Sequence, residues 1–171
     1  MTSDELNHAE YADFYAPYVG TLTNIELIEE LEISVHRLIR FVQDIPMDKF
    51  DYRYAEGKWT IKDILQHLID CERIFSYRAL RFARNDKTAL PGFEENDYAV
   101  VAQGHNRSIQ HLLTELAVVR QSTLYLFKTF SNEELMRVGM ASGSPMSVRA
   151  AGFIIIGHQN HHQRIFQERY L

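Results

Sequence analysis

Apolar positions recur with a helical period along four long stretches of the chain, and glycine and proline mark the gaps between them. The first stretch, about residues 23–43, carries Ile28, Leu31, Val35, Leu38, Ile39 and Val42 on one stripe, and Pro46 follows its end. The second starts near Trp59 and Thr60, where Thr60 and Asp63 have the spacing of a capping box with a shorter acid. Its stripe is Ile64, Leu68, Phe75, Ala79 and Phe82, and Asn85 is the expected stop. The third, about 106–130, aligns Ile109, Leu112, Leu113, Leu116, Val119 and Phe127. The fourth begins after "SGSPMS" with Ser147 as N-cap and runs to the C-terminal residues.

No stretch alternates long enough to predict a sheet. Four amphipathic helices of about 20 residues each bury their stripes most simply as an all-α four-helix bundle, a single domain over 1–171. About 15 residues join the first two helices, and the longer "DKTALPGFEENDYAVVAQGH" joins the second and third, enough to cross over the bundle. A short extra helical turn is expected at "SNEELMRV".

Composition narrows the function classes. Apolar residues make up 46% and charged residues 24%, the balance of a soluble globular protein. No run approaches the roughly 20 apolar residues of a membrane span. The polar, acidic "MTSDELNHAEYADF" start lacks the form of a secretory signal, so a cytoplasmic location is the expectation. A net charge of −5 without a Lys/Arg block argues against nucleic acid as a partner. The single cysteine, Cys71, excludes an internal disulfide and a cysteine-rich zinc site, and reads as a small buried core residue.

Histidine is the one compositional oddity. In "GFIIIGHQNHHQRIF" the apolar stripe Ala151, Ile154, Ile155 continues through His158 and His162 to Ile165 and Phe166. Histidines four apart stack on one helical face, here the face turned into the bundle. His161 lies about 100° round the helix from His162 and reads as a rim residue. His67, between Ile64 and Cys71 on the second helix, is the best candidate to face the pair. Three neutral imidazoles plus water form an open coordination set for a divalent metal ion: zinc, with nickel or iron also suited. The alternative is a set of structural histidines hydrogen-bonded in the core of a non-catalytic bundle.

The run "WTIKDILQHLIDCE", Trp59 to Glu72, resembles the opening of the second helix of DinB/YfiT-like proteins, a superfamily assigned as metal-dependent enzymes. "GHQNHHQRI" resembles that family's closing HxxxH, and the likeness extends over most of the chain, including the "LPGF" crossover. The resemblance implies up-down-down-up connectivity, frequent homodimers, and a metal site with His67, His158 and His162 as ligands. It also implies a hydrolase acting on a small-molecule substrate, or a transferase working with a low-molecular-weight thiol. Asp63 and Asp70 are the candidates to orient His67, and Glu72 is expected to pair with Arg73 or Arg78. Trp59 is expected to plug the base of the bundle. Glu94, Asp97 and Tyr98 are expected over the site opening. Tyr11, Phe14, Tyr15 and Tyr18 give the N-terminal arm an apolar edge, and Gly157 offers close approach to a neighbouring element. No serine or cysteine nucleophile with a matching histidine and acid stands out.

Overall fold

The structure is a computed structural model that describes residues 1–171. Its four long helices fall close to the expected stretches: α2 (Leu27–Gln43), α3 (Ile61–Ala83), α5 (Ile109–Lys128) and α7 (Val148–Arg169). The caps explain the limits. Thr60 Oγ1 accepts from the Asp63 amide while Asp63 accepts from the Thr60 amide, each at 3.0 Å. Ser108 and Ser147 cap α5 and α7 in the same way through their hydroxyls. Asn85, at φ 62°, takes the left-handed turn that ends α3. Short helices α1 (Ala16–Val19), α4 (Glu95–Ala102) and α6 (Asn132–Met136) complete the set, α6 being the turn expected at "SNEELMRV".

Side-chain pairs fix the directions. Gln66 meets Arg107, Arg73 meets Glu115 and Ser76 meets Thr123, so α3 and α5 run parallel. Glu32 meets Lys128 and Ser34 meets Arg120, so α2 runs against α5. Trp59 meets Tyr170 while His67 meets His158, so α7 runs against α3. The order is up-down-down-up, and the crossover between α3 and α5 is what permits it.

A sheet was not expected, yet residues 138–147 form a hairpin. Strands β1 (Val138–Ala141) and β2 (Ser144–Ser147) pair antiparallel around Ser142 and Gly143, both at positive φ. Leu90 of the crossover adds a bridge to it, donating to Met140 O at 2.9 Å and accepting from the Ser142 amide at 3.0 Å. Gly139 lies flat on Phe82 of α3, where a Cβ would stand 2.0 Å from the ring.

The core divides into two apolar clusters with polar groups at their boundary. One cluster holds Leu31, Phe75, Phe127 and Ile156; the other holds Val35, Ile69, Val119 and Phe166. Between them, on each helix, stands a polar residue: Ser34, Glu72, Arg120 and Gln159. Arg120 and Glu72 are 2% and 3% exposed. The guanidinium donates to both Glu72 oxygens at 2.8 and 3.1 Å, to Ser34 Oγ at 2.8 Å and to Gln159 Oε1 at 3.0 Å. Gln159 Nε2 donates in turn to Ser34 O at 3.0 Å. Glu72 therefore pairs with Arg120, not with Arg73 or Arg78: Arg73 reaches Glu115 at the surface, and Arg78 points toward the crossover. A bidentate guanidinium suits this carboxylate because both are shut off from water.

The N-terminal arm is bound by a second buried pair. Arg149 Nε and Nη2 reach the two Glu10 oxygens at 2.8 and 2.6 Å, and Ser147 Oγ donates to Glu10 at 2.7 Å. These bonds lay the arm along α7.

Truncating one partner of the central pair leaves the other charge buried alone, which costs about 3–5 kcal/mol. Arg120→Ala is expected to lower the unfolding free energy by that amount, read as a lower urea midpoint at unchanged m-value. A loss below about 0.5 kcal/mol, the size of an ordinary surface change, contradicts a structural role for the network.

Candidate metal centre

The three histidines meet at the boundary between the two clusters. His158 Nε2 lies 3.0 Å from His67 Nε2 and 3.0 Å from His162 Nε2. The rings are 4.6–5.1 Å apart and set edge to face, which turns the nitrogens inward. Each residue is buried, at 6%, 5% and 8% exposure for His67, His158 and His162. The i, i+4 spacing on α7 supplies two of the rings, and the antiparallel α3 brings the third across.

Burial drives all three toward the neutral form. It pulls His67 down to about 4 and holds His158 and His162 well below the usual histidine range, the latter two also feeling their neighbours. No carboxylate is bonded to any of the three rings to offset this. Neutral imidazoles have exposed lone pairs, and one in-plane nitrogen site cannot both donate and accept. His158 Nε2, with two such nitrogens at 3.0 Å, is therefore poorly served by hydrogen bonding alone. His162 Nδ1 is buried without any partner. Three converging nitrogen donors in an uncharged pocket fit a divalent cation of the zinc or nickel type.

Cys71, one turn beyond His67, is buried as expected but belongs to this group. Its Sγ is 3.5 Å from His67 Nδ1, and the donor atoms of His67, Cys71 and His158 all lie within 4.8 Å of one another. Burial pushes the thiol far up, so it stands beside His67 as a neutral group. The acids expected to orient His67 do not reach it. Asp63 accepts from the Thr60 and His105 amides and from His105 Nδ1, and Asp70 accepts from Gln66. Burial raises the Asp63 carboxyl, but these hydrogen bonds outweigh it and hold it low. Trp59 packs at a tilt against the His67 ring, centroids 4.9 Å apart, closer to the site than a plug at the base. His161 is half-buried at the rim against Tyr18, as expected.

A cavity of about 390 Å3 leads to His158 and Cys71. Its walls come from the arm (Phe14, Tyr15, Tyr18), α3 (Phe75), the crossover (Phe93, Glu94, Glu95) and the hairpin (Ser142, Ser144). A smaller space of about 200 Å3, lined by Trp59, Lys58, Asn96 and Tyr170, reaches His162 from another side. At Gly157 the arm lies against α7: a Cβ there would stand 2.3 Å from Tyr18 O. The close neighbour is thus the arm, and the Tyr18 ring packs 5.1 Å from that of His158. Arg78, 2% exposed, donates to Pro91 O and Ser142 Oγ between the Phe75 and Phe93 rings, fastening crossover and hairpin to α3. Of the crossover residues expected at the opening, Glu94 lines the cavity. Asp97 and Tyr98 instead line a separate groove with Asp70 and Arg73.

Fold and site together describe a four-helix bundle with a histidine cluster at the foot of a cavity. The chain belongs to the DinB superfamily, whose family model matches residues 30–166. It is similar to a protein of Bacillus mycoides (strain KBAB4) named "Putative metal-dependent hydrolase", with 28% identity over 86 residues, 48% of this chain and 49% of that one. The chain thus spans about half the length of that relative. A protein of the same designation from Oceanobacillus iheyensis is 22% identical over 140 residues, 80% of this chain and 79% of that one. Among solved structures, YfiT from Bacillus subtilis, described as a probable metal-dependent hydrolase with an unusual four-helix bundle topology, superposes with a TM-score of 0.75. That alignment covers 83% of this chain and 82% of YfiT at 18% identity, a likeness of fold.

The depressed histidines set a pH dependence. Unfolded, each titrates near 6.5; folded, each takes its proton only at lower pH, near 4 for His67. Below about pH 6.5 the unfolded state binds more protons, so the metal-free protein loses stability as pH falls from there toward 4. The slope is about 1.4 kcal/mol per pH unit for each histidine involved. Urea titrations of metal-free protein between pH 7 and 5 are expected to show the fall, and His67→Gln to reduce it. A flat profile contradicts neutral, buried rings.

Proposed function

We propose that the chain is a metal-dependent enzyme of hydrolytic type, with one divalent cation held by His67, His158 and His162. The observation that carries this reading is the approach of His67 Nε2 and His162 Nε2, each to 3.0 Å from His158 Nε2, from two helices at the foot of a cavity. The names borne by the relatives agree with it. Such a cation, bound by three neutral ligands, keeps its full charge and supplies Lewis acidity together with a lowered pKa for water.

The remaining chemistry belongs to the chain. Cys71 sits beside His67 Nδ1, and Trp59 limits the tilt of that ring. Gln159, bonded to Arg120 and Ser34, fixes the rotation of α7 and so aims the neighbouring His158. Tyr15, Tyr18, Phe75 and Phe93 make the cavity wall apolar, suited to an organic acyl substrate with few charges.

Elemental analysis of protein purified without a histidine tag tests the reading. Wild type is expected to carry about one zinc or nickel per chain, and His158→Ala almost none while keeping its helical circular dichroism. At a thousand times its Kd a ligand stabilises by about 4 kcal/mol, so chelation is expected to lower Tm on the order of 10 °C. Metal content indifferent to His158→Ala, or a Tm indifferent to chelator, overturns it. Ester, amide and small-thiol conjugation substrates then separate hydrolysis from thiol transfer.

A further inference from the structure

The cavity above the histidines contains two carboxylates, and they differ. Glu94 is occupied: its Oε1 accepts from the Asn96 amide at 3.1 Å and from Asn96 Nδ2 at 3.0 Å, capping α4. Glu95 lines the same cavity as His158 and Cys71, is half-buried, and forms no hydrogen bond or ion pair. A part-buried acid without a partner is costly to keep unless it is used. Its position is also held from both sides. Upstream, Leu90 bridges to the hairpin and Arg78 holds Pro91 O. Downstream, Gly104 packs so tightly on α3 that a Cβ would meet Lys62 O at 2.8 Å, and His105 binds Asp63 twice.

We propose that Glu95 is the proton acceptor of the hydrolytic reaction, serving the water that attacks in the cavity. This rests on the metal-dependent hydrolase reading above. Glu95 takes a proton from the attacking water as the water oxygen bonds to the substrate's acyl carbon. It returns that proton to the leaving oxygen or nitrogen as the carbon–heteroatom bond breaks, and the carboxylate is regenerated. Burial, and then the charge of Glu94, raise the Glu95 carboxyl above the usual glutamate range, which favours a group that must both accept and release a proton. The other ionisable groups around the cavity are Tyr15 and Tyr18 of the arm, Cys71 of α3, Glu94 and His158, with Arg78 behind the wall. Burial pushes the Tyr18 phenol up to about 12 and raises the Tyr15 phenol and the Cys71 thiol, so none of the three supplies a competing base near neutrality.

The test loads wild type, Glu95→Gln and Asp97→Asn, the last in the separate groove, with cobalt(II) and follows the visible spectrum against pH, alongside hydrolysis of p-nitrophenyl acetate. Cobalt content is expected to be equal in all three. The negative charge of Glu95 disfavours ionisation of a nearby water, so the spectral midpoint is expected to move to lower pH in Glu95→Gln and to stay in Asp97→Asn. Ester turnover in Glu95→Gln is expected to fall by about 10²-fold or more, the usual range for a lost acid–base group, with loss of the acid limb of the pH profile. An unmoved midpoint with full cobalt content overturns the role of Glu95 alone. Failure of wild type to take up cobalt overturns the metal reading and the role of Glu95 with it.

Discussion

Polar groups set across the middle of an apolar bundle must all be satisfied, and this constraint organises the molecule. Arg120 does most of it: one guanidinium binds Glu72 on α3, Ser34 on α2 and Gln159 on α7. Each helix can rotate or slide only by breaking a bond in a water-free layer. Because Gln159 precedes His162 by less than a turn and follows His158 directly, the rotation of α7 that serves the arginine also aims the imidazoles. The parallel α3 and α5, made possible by the crossover, bring Glu72 and Arg120 to the same level.

The histidine cluster stands beside that layer with the opposite character. Arginine and glutamate cancel one another, whereas the three imidazoles are neutral, close and bonded to no carboxylate. Such a group is uncomfortable as a hydrogen-bonded core and well suited to a cation. The loops and arm then decide what reaches it. Glu10 and Arg149 lay the arm beside Gly157, Arg78 ties crossover to hairpin, and between them a largely aromatic cavity opens on His158 and Cys71.

Much of this was legible in the chain. Stripes such as Ile64, Leu68, Phe75, Ala79 and Phe82 gave the helices, and Thr60, Asn85 and Ser147 gave their ends, because period and capping are local. The convergence of His67 with His158 and His162 followed from their places on the inner faces. Long-range choices were less visible. Glu72 found Arg120, 48 residues away, rather than a neighbour, and Asp63 was taken up by its own cap and by His105. The hairpin escaped because each strand is four residues long and includes Gly139 or Pro145; the Ser142–Gly143 pair was its one signal. Glu95 was passed over for Glu94, Asp97 and Tyr98, since nothing local tells which side of a short helix faces a cavity.

X-ray absorption at the metal edge of zinc-loaded protein examines the histidine centre without reference to any substrate. The account predicts about three imidazole nitrogens near 2.0–2.1 Å, one or two further oxygens, and no sulfur. A sulfur shell near 2.3 Å would move Cys71 into the ligand set, and a shell of oxygens alone would contradict the three-histidine centre outright.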